Sequence, residues 1–265
     1  MPWLAQPASG RRAFVATLRS AEYIMGLREL HCSLAHTNVG VPLIVMGVKG
    51  DLDAATRAEV EALAEYRLVE DIVIPNLGRY HLNWVKLRAW ELEEYDALIL
   101  LDVDAVVRSD LTHLFSLPTD FAWAYHNGHT GYDYNRGGVV MMRPCRATFY
   151  AMMHVVTSHE HYQFRQTLAE QDLLTWFFRY TAINLPMRYN LNFQFLDDQG
   201  LGPGGLPAAV LHFADPEDKF HLDAGYGVVP ISGHKVSIKA IASQLPGFGH
   251  PRTPLQGSCP IPSLK

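Results

Sequence analysis

Three cysteines, Cys32, Cys145 and Cys259, are scattered through 265 residues and none forms a CxxC pair. That excludes a thiolate-built zinc site and a disulfide framework, and a reducing compartment fits best. The chain also has no excess of basic charge: 22 lysines and arginines stand against 27 acids, a net charge of -5. A nucleic-acid groove, which needs a basic stripe, is therefore not expected. No apolar run approaches the ~18 residues of a membrane span. The opening MPWLAQPASGRR has no long apolar stretch of the kind a signal peptide carries. These gaps predict a cytoplasmic protein without a membrane span. Apolar residues make up 48% and charged residues 18%, enough for a substantial core.

Apolar runs and helical periodicity alternate in the first half. Strands are expected over 13–17, 43–46 (ending in Gly47), 72–74 (stopped by Pro75) and 97–101. Between them, Ser20 is placed to cap a helix in which Tyr23, Leu27, Leu30 and Leu34 recur. Asp53 is placed to cap a helix over 54–66, and 84–95 reads as a third helix. This alternation predicts an α/β fold, a mostly parallel sheet flanked by helices. The second half is less regular, with strands expected over 121–125, 137–142, 182–185 and 209–213. Helices are expected over 147–157 and 168–180, and a loop over 200–205. No repeat or linker divides the chain. It reads as one domain with halves of about 11–108 and 109–225 and an irregular tail of about 226–265.

The stretch Leu98-Ile99-Leu100-Leu101-Asp102-Val103-Asp104 is the most informative. Ligands of open α/β sheets lie beyond the carboxyl ends of the strands, and both aspartates stand at such an end. In extended chain, residues two apart share a side, so the carboxylates would face one point. Without a cation they would repel each other there. His212, in Val210-Leu211-His212-Phe213, would complete a mixed oxygen and nitrogen shell suited to manganese. A solvated pair of loop aspartates and a satisfied core histidine are the plain alternatives.

The order of motifs resembles the family 8 glycosyltransferases, the group of glycogenin and galactinol synthase. The resemblance spans about 13–219. It begins with Phe14-Val15-Ala16-Thr17-Leu18 and Tyr23, then Val85-Lys86-Leu87-Arg88-Ala89-Trp90 and the aspartate pair. It continues through Leu111-Thr112-His113-Leu114-Phe115, Tyr134-Asn135-Arg136-Gly137-Gly138-Val139 and Glu170-Gln171-Asp172-Leu173-Leu174. Leu185-Pro186, Tyr189-Asn190 and Leu211-His212-Phe213 complete it.

The resemblance implies a single GT-A domain that transfers a hexose from a UDP-sugar with retention, giving an α-glycosidic bond. UDP-glucose or UDP-galactose would be the donor, and Mn2+ the cofactor, with Mg2+ as a substitute. Asp102, Asp104 and His212 would hold the metal. Thr17, Leu18, Tyr23, Arg79, Lys86, Val103, Asn135, Gly137, Gly138 and Lys219 would meet the UDP-sugar, with Lys86 and Lys219 at the diphosphate. Glu170 or Gln171 would face the donor sugar; covalent and front-face mechanisms both stay open. Read without the resemblance, Lys86 and Lys219 are ordinary surface lysines, Tyr23 a core aromatic, and Glu170 an acid at a helix N-terminus.

Some positions depart from the family pattern. Arg136 stands where a small residue is usual, and Asp215 where glycine is usual. No tyrosine follows Tyr189-Asn190 within 191–198, so an external hydroxyl acceptor (a sugar, polyol or glycan) is expected rather than self-glucosylation. A homodimer is left open. The competing readings are a non-catalytic nucleotide-sugar-binding protein and a metal-dependent phosphohydrolase. The second would need its aspartates on the first strand of the fold.

Overall fold

In the computed structural model, residues 10–74, 80–127, 133–158, 162, 168–196, 201–214, 228–231 and 234–237 are described. The chain opens with β1 (Arg12–Thr17). Ser20 accepts a hydrogen bond from the Glu22 N–H and caps a short 3-10 turn, Ala21–Tyr23, that leads into α1 (Ile24–Thr37). Then come β2 (Leu43–Val48), α2 (Ala54–Leu63), capped by the Asp53 carboxylate at the Thr56 N–H, and β3 (Glu65–Val69). A 3-10 segment, His81–Glu91, leads to β4 (Ala97–Leu101), β5 (Ala105–Val107) and a 3-10 turn, Thr112–Ser116. β6 (Phe121–Asn127) and β7 (Asp133–Met142) precede α3 (Arg146–Thr157) and α4 (Glu170–Phe177). Last are β8 (Ile183–Leu185), β9 (Leu191–Asn192), β10 (Val210–His212), β11 (Val228–Ile231) and β12 (His234–Ser237).

The main sheet has seven strands in the order β3-β2-β1-β4-β7-β6-β8. β3, β2, β1 and β4 run parallel, β7 is antiparallel to both its neighbours, and β8 is parallel to β6. Alternate residues of the central strands serve opposite faces. Ala13, Val15, Leu98 and Leu100 join Trp84, Trp90, Phe149 and Leu173 on one side. Phe14, Ala16, Ile99 and Leu101 join Leu27, Leu30 and Val60 of α1 and α2 on the other. Both faces being covered explains why these strands read as unbroken apolar runs. After β1 the chain moves outward through β2 and β3, then returns to place β4 on the other side of β1. The crevice of such a sheet opens at that reversal, beyond the carboxyl ends of β1 and β4.

Four expectations need correction. The helix over 54–66 stops at Leu63, and the strand expected over 72–74 is instead β3, Glu65–Val69. Its charged residues suit an edge position. Its register is helped by Tyr66, whose ring fills the space beside Gly47 that a side chain there would occupy. β2 accordingly runs through Gly47 to Val48. Ile72 enters the core without belonging to a strand. The helix over 84–95 is 3-10 in character and shorter, with bonds such as Asn83 N–H to Tyr80 O at 3.0 Å. Nearly all of 84–90 is buried, so tertiary packing rather than an amphipathic α-helical face sets its path. The tail expected to be irregular contains β11 and β12, paired antiparallel with Ile231 opposite His234.

Candidate active site

A second, three-stranded sheet builds the site. β5 follows the aspartates directly and pairs antiparallel with β10, with Ala105 opposite His212. The Phe213 N–H donates to Asp104 O at 2.9 Å and fastens the same corner. This pairing carries His212 back across 108 residues, to bring its Nε2 3.1 Å from Asp104 Oδ1 and 3.6 Å from Asp102 Oδ2. Asp104 and His212 are buried, while Asp102 is partly open.

The aspartates converge for a different reason than expected. They are not in extended chain: residues 102–104 turn between β4 and β5, with the Ala105 N–H bonded to Asp102 O at 3.1 Å. Helix α1 backs this turn through Gly26, where a β-carbon would lie 2.5 Å from Val103 O. The turn is tethered on its other side by the Asp102 N–H, which donates to Gly138 O at 3.1 Å and extends the β4–β7 ladder.

One ligand atom from each of Asp102, Asp104 and His212 lies within 4.8 Å of the others. Two carboxylate oxygens and one imidazole nitrogen make a donor set that fits a divalent cation such as Mn2+ or Mg2+. Repulsion between two carboxylates that converge on one imidazole nitrogen gives a physical reason for a cation at that point.

Asp102 also joins a second cluster. Its Oδ1 is 2.6 Å from Lys86 Nζ, which in turn donates to Glu170 Oε1 at 3.1 Å. Lys86 is therefore not a surface lysine: it is 5% exposed, and Glu170 is 1% exposed. Burial works against the charge on Lys86, but Asp102 and Glu170 outweigh it and raise its pKa. Burial pushes Glu170 up to about 7 against the pull of Lys86, with the Asp102 charge adding to the rise. Glu170 Oε2 is buried without a hydrogen-bond partner among the described residues. Ala169, just before it, has φ 51° and ψ -124°, a conformation costing a non-glycine residue about 1–3 kcal/mol. Strain of this kind is typical of positions held for function.

The other predicted residues fall as follows. Thr17 ends β1 beside the crevice, whereas Leu18 is fully buried and its N–H is taken by Met46 O at 2.9 Å. Tyr23 is half-buried against the α1 face of the core. Val103 lies in the turn, and Asn135 is in β7 opposite Tyr125. Gly137 approaches Glu170 and Gln171, a β-carbon there meeting Gln171 Cγ at 3.3 Å and Glu170 Oε1 at 3.4 Å. Arg79 and Lys219 lie outside the described residues.

Two residues given no role from the sequence prove to be part of the site. One is Gly26, whose signal was a glycine on the inner face of a helix. The other is Asn190, whose Oδ1 is 2.9 Å from His212 Nδ1. No helix among the described residues is long and apolar enough to cross a membrane.

The model of the family described as Glycosyl transferase family 8 matches residues 76–136. UDP-glucuronate:xylan alpha-glucuronosyltransferase 1 of Arabidopsis thaliana is 27% identical over 183 residues, covering 67% of this chain and 27% of that protein. Galactinol synthase 10 of the same plant is 30% identical over 125 residues, 44% of this chain and 38% of that protein. The chain thus spans well under half the length of these relatives. Among solved structures, the galactosyltransferase LgtC, in complex with donor and acceptor sugar analogs, aligns with a TM-score of 0.56 at 18% identity. That alignment covers 78% of this chain and 87% of LgtC, and the likeness concerns the fold. The strand-order reversal and the likeness to solved structures give the chain a GT-A fold, and its residues 76–136 match glycosyltransferase family 8.

Proposed function

We propose that this protein is a metal-dependent retaining glycosyltransferase that moves a hexose from a UDP-sugar to an external hydroxyl, forming an α-glycosidic bond. The observation that carries the reading is the convergence of Asp102, Asp104 and His212 on one point beside the buried Lys86–Glu170 pair. A divalent cation held there, Mn2+ or Mg2+, would neutralise charge developing on the departing diphosphate. Lys86 adds a fixed positive charge that needs no reorganisation during the reaction. Gly137 brings the β7 backbone against Glu170 and Gln171, and Gly138 brings it against His212 and Asn190; both are assigned to the donor-sugar side of the site by family resemblance. Glu170, with one oxygen unpaired, is the carboxylate for the donor sugar, and Gln171 is beside it. Thr17, Leu18 (through its backbone), Tyr23, Val103, Arg79 and Lys219 are assigned to the nucleotide and diphosphate, and Asn135 to the sugar, by family resemblance. Placement in the cytoplasm and self-association as a dimer belong to the same reading.

UDP-glucose and UDP-galactose are the first donors to test. UDP-glucuronate is the second reading, favoured by a relative named for that donor and by Arg136, a cation in the segment expected near the sugar. A phosphohydrolase is disfavoured because the aspartates follow β4, not the first strand. A non-catalytic sugar-nucleotide binder is disfavoured because the metal-ligand set is complete.

The deciding experiment incubates the purified protein with Mn2+ and each UDP-sugar, with and without sugar, polyol and glycan acceptors. Free UDP is measured alongside thermal shift. Donor-dependent UDP release, raised by an acceptor, is expected. Absence of both UDP release and thermal shift with every UDP-sugar would overturn the reading.

A further inference from the structure

The side of His212 facing away from the aspartates is as closely specified as the side facing them. Its Nδ1 lies 2.9 Å from Asn190 Oδ1, and the two residues are 6% and 0% exposed. Asn190 ends the 3-10 turn Met187–Asn190 and is followed at once by β9, which pairs with the strand carrying His212. The third wall is the backbone of β7. A β-carbon at Gly138 would lie 2.6 Å from His212 Nδ1, 2.7 Å from Asn190 Oδ1 and 2.7 Å from His212 Cε1. The imidazole is thus confined by a residue without a side chain and bonded to one whose side chain is fully buried.

An amide oxygen only accepts, so a hydrogen bond here requires the proton on Nδ1. In the neutral ring that leaves the lone pair on Nε2, which lies 3.1 Å from the acceptor-only Asp104 Oδ1, so this tautomer is satisfied when a cation stands between them. With the opposite tautomer, Nδ1 and Asn190 Oδ1 would be two acceptors in contact. Nε2 would then carry a proton where a ligand is needed. A histidine that ligates a metal commonly has its other nitrogen fixed in this way, which sets ring orientation and basicity.

We propose that Asn190 is a positioning residue that, with Gly138 as its backstop, holds His212 as the Nδ1–H tautomer so that Nε2 is presented to the metal. This inference rests on the metal-site reading of Asp102, Asp104 and His212. Its effect is on cation affinity through His212 and not through any contact of Asn190 with substrate.

Long-range 1H–15N NMR of the 15N-labelled full chain tests it, with the His212 signals identified by their loss in His212→Gln. Nδ1 is expected to carry the proton with and without Mg2+ as a diamagnetic probe, and only Nε2 to respond to the cation. Mn2+ titration followed by EPR gives the second readout. Asn190→Asp keeps an acceptor and is expected to bind Mn2+ within a few-fold of the unaltered protein. Asn190→Leu removes the acceptor and is expected to lose about 10–100-fold in affinity. An unprotonated Nδ1 in the unaltered protein, or equal Mn2+ affinity in the leucine variant, would overturn the proposal. If the leucine variant does not fold, the NMR of the unaltered protein still decides. If the unaltered protein takes up no Mn2+, the metal reading fails, while the NMR separately decides the Asn190–His212 bond.

Discussion

Lys86 and Glu170 form a buried ion pair across 84 residues of chain, Nζ to Oε1 at 3.1 Å, and the other Glu170 oxygen is left without a bond among the described residues. Lys86 also holds Asp102 at 2.6 Å, so one ammonium compensates two carboxylates, one of them a metal-ligand candidate. Removing one partner of such a pair leaves the other uncompensated, which costs more than the pair contributes. Lys86→Met is therefore expected to destabilise the fold by about 3–5 kcal/mol near neutral pH. The loss should be smaller at about pH 5 than at about pH 8, because Glu170 can take a proton once Lys86 is gone. Urea denaturation at the two pH values measures this. An equal loss at both would mean that Glu170 does not depend on Lys86 for its charge.

Gly26 gives a second prediction. Alanine normally stabilises a helix interior relative to glycine by about 1 kcal/mol. Here the added carbon would fall 2.5 Å from the Val103 carbonyl oxygen, a backbone atom that cannot rotate away. Gly26→Ala is expected to cost about 1–3 kcal/mol, the usual range for overpacking, and to weaken Mn2+ binding by displacing the turn with Asp102 and Asp104. Thermal melts and Mn2+ titration check both. A more stable variant with unchanged metal affinity would show that α1 can withdraw without disturbing the site.

The sequence shows some of this plainly and conceals the rest, for physical reasons. Strands covered on both faces, such as β1 and β4, announce themselves as apolar runs bounded by turns. β3 does not, because an edge strand carries charges and alternates weakly; its place depends on Tyr66 filling the gap at Gly47. Ile72-Val73-Ile74 imitated a strand, and only Ile72 is buried, with Val73 81% exposed. The two aspartates were legible as a pair, but the reason they converge was not: a turn, and the register of β5 with β10, bring them to His212. Lys86 read as a surface charge because its burial depends on Glu170, and no local pattern links them.

Asp102 and Asp104 differ in what else they hold, so their amides should differ too. Both carboxylates lie against His212 Nε2, and Asp102 is in addition ion-paired with Lys86. Asp104→Asn is expected to abolish Mn2+ uptake and UDP release and to leave the Lys86 pairs with Asp102 and Glu170 in place. Asp102→Asn should lose both as well, and in addition shift stability, because Lys86 would then answer to Glu170 alone. Parallel Mn2+ titrations and urea denaturation compare the two. Identical stability changes in both variants would refute the division of labour.

Glu29 supplies a prediction independent of the site. It lies on α1 with no hydrogen bond or ion pair among the described residues, and burial alone pushes its carboxyl up to about 7 from an ordinary value of 4.5. Below about pH 4.5 the group is protonated in both folded and unfolded chains and costs nothing. As pH rises, the unfolded chain ionises first, so stability is lost up to about pH 7 and then levels off. The full difference amounts to roughly 3 kcal/mol as an upper limit. Glu29→Gln removes the titration while keeping the shape. It is expected to be about 1–3 kcal/mol more stable than the unaltered protein near pH 8, and no more stable near pH 4. Urea denaturation across this range measures the difference. The same dependence on pH in both proteins would show that Glu29 finds a solvent path or a cationic partner that lets it ionise freely in the fold.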